Sequence, residues 1–164
     1  MSNFRIGHGY DIHQLVESHP LIICGVHIES PMGSIGHSDG DVGYHAICDA
    51  ILGALALGDL GTHFPSSDNR WEDANSAIFL QEVLKLMIHA QYEISNIDCT
   101  IILQSPHINQ YIKQMRENLA EACIIDINQV SIKATTTDKL GSIGRGEGVG
   151  SSAIILLKKV NHES

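Results

Sequence analysis

Residues 37–49 read HSDGDVGYHAICD, and the fold turns on how this stretch is understood. A polar loop, HSDGD, runs straight into a segment that keeps His45 and Asp49 among apolar residues. Positions four apart share one face of a helix, so Asp41, His45 and Asp49 would form a polar stripe. Ile47, Ala50, Ile51, Ala54 and Leu55 take the other side, which suits burial. A helix is therefore expected over roughly 41–57, stopping near Gly58, with a titratable edge that carries the chemistry.

Working outward, residues 4–11 (FRIGHGYD) and the more apolar 21–28 (LIICGVHI) read as strands, the second bordered by Pro20 and Pro31. Residues 33–41 are expected to be loop. Downstream, 58–71 has loop composition, with Gly61 and Pro65, and a connection of that length is often functional. A second helix is expected over 73–90, where Ala77, Leu80, Leu84 and Met87 repeat at helical spacing. Residues 96–104 read as a central strand closed by Pro106. A third helix follows over 109–123, with Ile112, Met115 and Leu119 on one face. A strand over 129–137, a Gly-rich turn over 141–150 and a final strand over 153–157 complete the chain. This order predicts an α+β fold, a β-sheet with its helices packed on one face. Such a sheet leaves a bare face that calls for a partner subunit.

The 164 residues are expected to form one domain, 1–164, large enough for a real core. Hydrophobic content of 43% with 18% charged residues is that of a globular chain. No apolar run approaches the roughly 20 residues of a membrane span, and the first residues lack the pattern of a signal peptide. Cys24, Cys48, Cys99 and Cys123 are scattered, with no C-x-x-C pair, and read as buried thiols in a reducing compartment. A cytoplasmic protein is expected. A net charge of −9 argues against nucleic-acid or membrane partners. A small anionic substrate would need local attraction from a metal, a helix N-terminus or a placed Arg.

Residues two apart on a strand point the same way, so Asp11 and His13 present a carboxylate and an imidazole together, with Ile12 facing apolar surroundings. Alone, D-x-H is a weak signal, and its plain reading is a polar strand end. With His45 added, three protein ligands and one open position match a catalytic zinc. The same set matches the two-His-one-carboxylate triad of non-haem iron enzymes. Asp49, one turn on, would accept the other imidazole N–H of His45 and fix its tautomer. His37 and Ser38, just before the helix, suit a phosphate cradle, against the simpler reading in which Ser38 or Asp39 caps the helix. Thr135, Thr136, Thr137 and Asp138 offer hydroxyls for phosphate and an oxygen ligand for Mg²⁺, although threonine is also at home in strands. The segment 141–148 (GSIGRGEG) is neither a P-loop nor a dinucleotide fingerprint. On local grounds it is a turn with an exposed Arg145–Glu147 pair.

GHGYDIH near the start, HSDGDVGYHAICDAILGALALGDLGTHFP in the middle and KATTTDKLGSIGRGEG near the end, in this order and spacing, resemble the 2-C-methyl-D-erythritol 2,4-cyclodiphosphate synthases over essentially the whole chain. The resemblance implies cyclisation of 4-diphosphocytidyl-2-C-methyl-D-erythritol 2-phosphate with release of CMP, in the non-mevalonate route to isoprenoids. It also implies a homotrimer with active sites between subunits. Asp11, His13 and His45 would bind one Zn²⁺ per subunit, and Asp138 would serve Mg²⁺ or Mn²⁺ on the substrate diphosphate. His37 and Ser38 would touch phosphate, with Asp11, Ile12 and His13 close by. Asp59, Leu60 and Gly61 would hold the methylerythritol hydroxyls, beneath a covering loop of Phe64, Pro65, Ser66, Ser67 and Asp68. On the cytidine side stand Leu103, Gln104, Ser105, Pro106, His107, Ile108 and Asn109, contributed with Thr135–Asp138 by the neighbouring subunit. His37 and Thr136 would assist the transition state. Ser142 and Arg145 would border an axial cavity able to hold an isoprenoid diphosphate.

Three positions depart from the family pattern. Asp138 stands where Glu is usual, Ser142 where an aromatic residue is common, and His107 where Lys is found. The shorter Asp138 would reach a metal less directly, Ser142 would make the axial cavity less apolar, and His107 would hold phosphate well only when protonated. Two other functions compete: a zinc hydrolase or non-haem iron oxygenase on the same triad, and an oligomer that metal stabilises without catalysis.

Overall fold

The computed structural model describes residues 3–36, 38–71 and 74–160. Its spine is a long strand, β1 (Phe4–Glu17), which runs well past the expected stretch and carries Asp11 and His13 within it. Alternation along β1 sorts its side chains: Gly7 and Gly9 are buried, and Asp11 and His13 half-buried, on one face. Ile6, His8, Tyr10 and Ile12 look the other way and are exposed. The glycines are there because a helix lies on them. A Cβ at Gly7 or Gly9 would run into the carbonyl oxygens of Ala50 and Ala46.

That helix is α1 (Val42–Leu55). Asp41 is its N-cap, with Oδ1 accepting from the N–H groups of Gly43 and Tyr44 at 3.1 and 3.0 Å. The same carboxylate accepts from Cys24 N–H and Gly25 N–H at 2.8 and 2.7 Å, so one buried group ties the helix start to a hairpin. Ala56, in the left-handed region at φ 58°, closes the helix.

The expected strand over 21–28 is instead that hairpin, β2 (Leu21–Ile23) and β3 (Val26–Ile28), turning through Cys24 and Gly25 at φ 48° and 72°. A short β4 (Met32–Ser34) occupies what was expected to be loop. The segment 58–71 is not bare either: it holds α2 (Leu60–His63) and a 3₁₀ turn, Asn69–Trp71. Then come α3 (Ser76–His89), β5 (Tyr92–Ile102), α4 (Ile112–Cys123), β6 (Val130–Thr135), α5 (Gly141–Gly144) and β7 (Gly148–Lys159). The Gly-rich turn is thus a one-turn helix feeding a strand longer than the apolar run suggested.

Among the described residues the main sheet has the order β4-β1-β7-β5-β6, antiparallel except for the β5–β6 pair. Helix α1 covers β1 and β7, while α3 and α4 cover β5 and β6. The predicted α+β class and one-sided helix layer are borne out. Between the layers lies a core that includes Ile47, Ile51, Leu80, Ile97, Met115, Leu119 and Leu157. All four cysteines are buried there as free thiols. No helix among the described residues is long and apolar enough to cross a membrane. On the opposite sheet face the β1–β7 part exposes Phe4, Ile6, Tyr10, Ile12 and Ile154, Ile6 by 73%, around the His8–Ser152 contact, while β5 and β6 carry the Asp98–Lys133 ion pair. Ile12 therefore does turn away from Asp11 and His13, but onto an open surface rather than into packing.

Candidate metal centre and active site

Strand β1 brings Asp11 and His13 under the first turn of α1, where His45 meets them. Asp11 Oδ2 lies 2.7 Å from His13 Nε2 and 3.0 Å from His45 Nδ1, and the two nitrogens are 3.1 Å apart. Each histidine spends its other nitrogen elsewhere. His13 Nδ1 donates to the Ile35 carbonyl at 2.9 Å, which leaves Nε2 as the lone pair of a neutral ring. His45 Nε2 faces the hydroxyls of Ser76 and Ser38 at 2.9 and 3.0 Å. A carboxylate oxygen and two ring nitrogens thus converge, and with its Nδ1–H turned to Ile35 a neutral His13 brings no proton of its own to them. Such a set asks for a cation, or for a proton in its place. Burial pushes the Asp11 pKa up, but the hydrogen bonds and charges of His13 and His45 win and hold it well below the ordinary carboxylate range. Burial pulls His13 down, and the hydrogen bond and charge of Asp11 outweigh it, so its pKa is raised. These residues fit a divalent cation with one side open.

Asp49 does not play the part expected of it. Its carboxylate accepts the Leu60 N–H at 2.7 Å and so fixes the start of α2, while the Nε2 side of His45 belongs to Ser76 and Ser38. Burial raises the Asp49 pKa. The spacing rule put both residues on one face, but a shared face does not make two side chains meet.

Over the centre opens a cleft of about 320 Å³, lined by His13, Ser38, His45, Leu60, Gly61, Phe64, Pro65, Ser66, Trp71 and Phe79. Phe64, Trp71 and Phe79 form one aromatic wall, with ring centroids 4.9–5.6 Å apart. Asp59 caps α2 through the Thr62 N–H, and Asp68 is held by Arg70 rather than turned to the cleft. Ser67 is exposed outside the lining. His37, expected beside Ser38, lies outside the described residues.

A second groove, about 280 Å³, runs between Leu103, Pro106, His107, Ile108 and Asn109 on one side and Ala134, Thr135 and Thr136 on the other. Gln104 supports it from behind by accepting the Lys139 N–H at 3.0 Å, and the Ser105–Pro106 peptide is cis. The Thr137 hydroxyl donates to the Leu140 carbonyl at 2.7 Å. Asp138 takes the left-handed region at φ 51°, and its N–H donates to Thr136 Oγ1 at 3.3 Å. Ser142 is exposed on α5, and Arg145 pairs with Glu147 at 2.7 Å, as the local reading of that turn expected.

Within one chain the two clefts do not meet. Ile12, Gly150, Ile102 and Thr135 are successive partners across β1, β7, β5 and β6. Three strand spacings separate the ends of that row, about 14 Å.

A family model described as "YgbB family" matches residues 4–158. This chain belongs to the YgbB family. Its relatives include the 2-C-methyl-D-erythritol 2,4-cyclodiphosphate synthase of Syntrophotalea carbinolica, 52% identical over 158 residues, 96% of each chain. That of a Geobacillus strain is 51% identical over 95% of this chain and 99% of its own. Among solved structures, the Plasmodium falciparum IspF in complex with CDP superposes with a TM-score of 0.86 at 40% identity, covering 98% of this chain and all of that one. The bifunctional IspDF of Campylobacter jejuni gives 0.93 at 39% identity, with 96% of this chain matched to 43% of that longer protein. The family read from the motifs is borne out, and the hydrolase or oxygenase alternative finds no support among these YgbB relatives.

Sequence reasoning missed Trp71 and Phe79 in the cleft wall, Ala134 in the second groove, and Ser76 with Asp39 behind His45. Trp71 alone carried a usable signal, as the chain's one tryptophan at the end of a polar loop.

Proposed function

We propose that this YgbB chain converts 4-diphosphocytidyl-2-C-methyl-D-erythritol 2-phosphate into 2-C-methyl-D-erythritol 2,4-cyclodiphosphate and CMP, in non-mevalonate isoprenoid biosynthesis. One observation carries the reading. The ligand atoms of Asp11, His13 and His45 lie within 4.8 Å of one another on the floor of a cleft, in a chain whose relatives bear that activity's name. Asp11, His13 and His45 would hold Zn²⁺, which would supply Lewis-acid polarisation of a phosphate, and Asp138 would serve Mg²⁺ or Mn²⁺, which would supply charge neutralisation for the diphosphate.

In the reaction, an oxygen of the 2-phosphate attacks the β-phosphorus and the bond to CMP breaks, with its electron pair leaving on CMP. Such a transfer needs alignment and charge neutralisation more than covalent help. His37 and Ser38 hydrogen-bond the phosphate beside the centre. The Asp59 carboxylate and the α2 backbone at Leu60 and Gly61 hold the sugar hydroxyls, and the Phe64–Trp71–Phe79 wall keeps water out. Thr136 donates its hydroxyl to the diphosphate as charge shifts. The base is assigned to the 103–109 groove; that the ligand is a cytidine nucleotide is supported by the Plasmodium relative's being a CDP complex.

We further propose a cytoplasmic homotrimer in which one subunit supplies the metal centre and its neighbour the nucleotide groove. The apolar open face of β1 and β7 supports it, as does the 14 Å or so between the two clefts of one chain. Ser142 and Arg145 would then stand near the axis.

The test is CMP release from the cytidylyl substrate with Zn²⁺ and Mg²⁺, in native protein and His45→Ala. CMP and the cyclic diphosphate from the native chain alone support the proposal; no CMP from folded, zinc-loaded protein would sink it.

A further inference from the structure

His45 reaches the centre through Nδ1, and what decides whether that atom offers a lone pair is the company of Nε2. Ser76 Oγ stands 2.9 Å from Nε2, and Ser76 is fully buried at the first turn of α3. The same hydroxyl bonds Asp39 Oδ1. A carboxylate can only accept, so the Ser76 proton goes to Asp39, and the serine is left with lone pairs toward His45. A hydrogen bond between Ser76 and His45 then takes its proton from Nε2, with Ser38 Oγ at 3.0 Å as a second acceptor, and this leaves Nδ1 bare and aimed at Asp11 and His13. Asp39 is itself held: Oδ2 accepts the Ser76 N–H at 3.1 Å and Oδ1 the Asp41 N–H at 3.2 Å. Ser38 fits the same direction of bonding. Its Oγ lies 3.3 Å from Ser76 Oγ and 3.4 Å from the Gly40 N–H, so it accepts from Gly40 and can donate to Ser76.

We propose that Asp39 and Ser76 are positioning residues of the metal centre, locking the ring and tautomer of His45 so that Nδ1 is presented as a ligand. The Ile35 carbonyl does the same for His13 from the other side. This inference rests on the reading of Asp11, His13 and His45 as ligands. A mere cap of α3 would be served by the Ser76 N–H and would be indifferent to the hydroxyl. The relay needs the hydroxyl.

The experiment uses the full chain with zinc alone as probe. Zinc affinity is measured by chelator competition, and the His45 ring is followed by ¹⁵N NMR, for native protein, Ser76→Ala, Ser76→Thr and Asp39→Asn. Ser76→Ala should weaken zinc binding about 10–100-fold, the cost typical of losing a partner that orients a ligand. It should also speed exchange of the His45 Nε2 proton with water, while Ser76→Thr restores both. In Asp39→Asn every amide orientation sets an NH₂ against a backbone N–H or against Ser76, so this nearly isosteric variant should weaken binding too, and it stands in if Ser76→Ala fails to fold. Native affinity and an unchanged His45 signal in folded Ser76→Ala or Asp39→Asn would overturn the proposal. Native protein that binds no zinc, or binds it as well after His45→Ala, would instead strike the ligand reading, and the relay would fall with it.

Discussion

The two clefts are built in opposite ways. At the Asp11–His13–His45 cluster the groups are half-buried or buried, come from two packed elements, and bring a carboxylate oxygen and two ring nitrogens together. The 103–109 groove is lined by the end of β6 and the loop after β5, mixes buried Leu103 and Ile108 with exposed His107, Asn109 and Thr135, and the threonines around it bond backbone carbonyls, as Thr137 does to Leu140. One set is aimed by packing within the chain. The other lies open along the surface. The contrast teaches which groups the chain positions by itself and which it leaves free for further contacts.

The largest effect should separate the two directly. His45→Ala should remove both zinc binding and CMP release, with turnover falling by about 10³-fold or more, whereas Thr136→Ala should cost about 10²–10³-fold in kcat and leave zinc affinity untouched. Loss of zinc in Thr136→Ala would erase the distinction. Mixing sharpens it further. Equal amounts of the two variants, unfolded and reassembled together, should recover about a quarter of native activity if each site joins two subunits, because one pairing in four unites two intact halves. No recovery would place both halves in one chain.

A charge on the open face probes the proposed homotrimer itself. Ile6→Asp, 73% exposed in the isolated chain, should shift the protein to monomer in sedimentation and stop turnover while monomer zinc binding persists. An unchanged trimer would move the interface elsewhere.

The mildest probe is pH. The folded pKa of His13 is raised, so its protonated form contributes stability that is fully present below the unfolded value of 6.5 and is lost as pH rises through the folded one. Metal-free protein should therefore lose melting temperature as pH climbs through that range, and the zinc-loaded protein should not, since the cation replaces the proton. A constant gap between the two curves would mean that proton and metal do not compete for the same atom.

The Asp11–His13–His45 cluster was legible in the sequence because two short-range rules sufficed: period two put Asp11 with His13, and the helix stripe carried His45. The α+β layer followed from the apolar period of the three long helices. The hairpin at Cys24–Gly25 was hidden because only one of its turn residues is a glycine, inside a run that reads as continuous strand. Asp49 was misassigned because helical spacing sets direction, not partner. Ser76 and Asp39 were out of reach: 37 residues apart, they meet only once α3 has docked on α1. Local pattern finds the atoms that do chemistry, and tertiary packing finds the atoms that aim them.

Gly7 and Gly9 carry a meaning beyond close packing. Asp11 and His13 ride on a strand and His45 on a helix, two stiff bodies whose spacing is set where Gly9 lies against the Ala46 carbonyl. The bite of the centre is thus gauged by a side chain of a single hydrogen atom. A methyl group at Gly9, two positions from the nearest ligand, would act as a shim between strand and helix. The span between the Asp11 carboxylate and the His45 imidazole would widen, and with it the size of any ion the three groups could share, although all three residues would remain in the sequence.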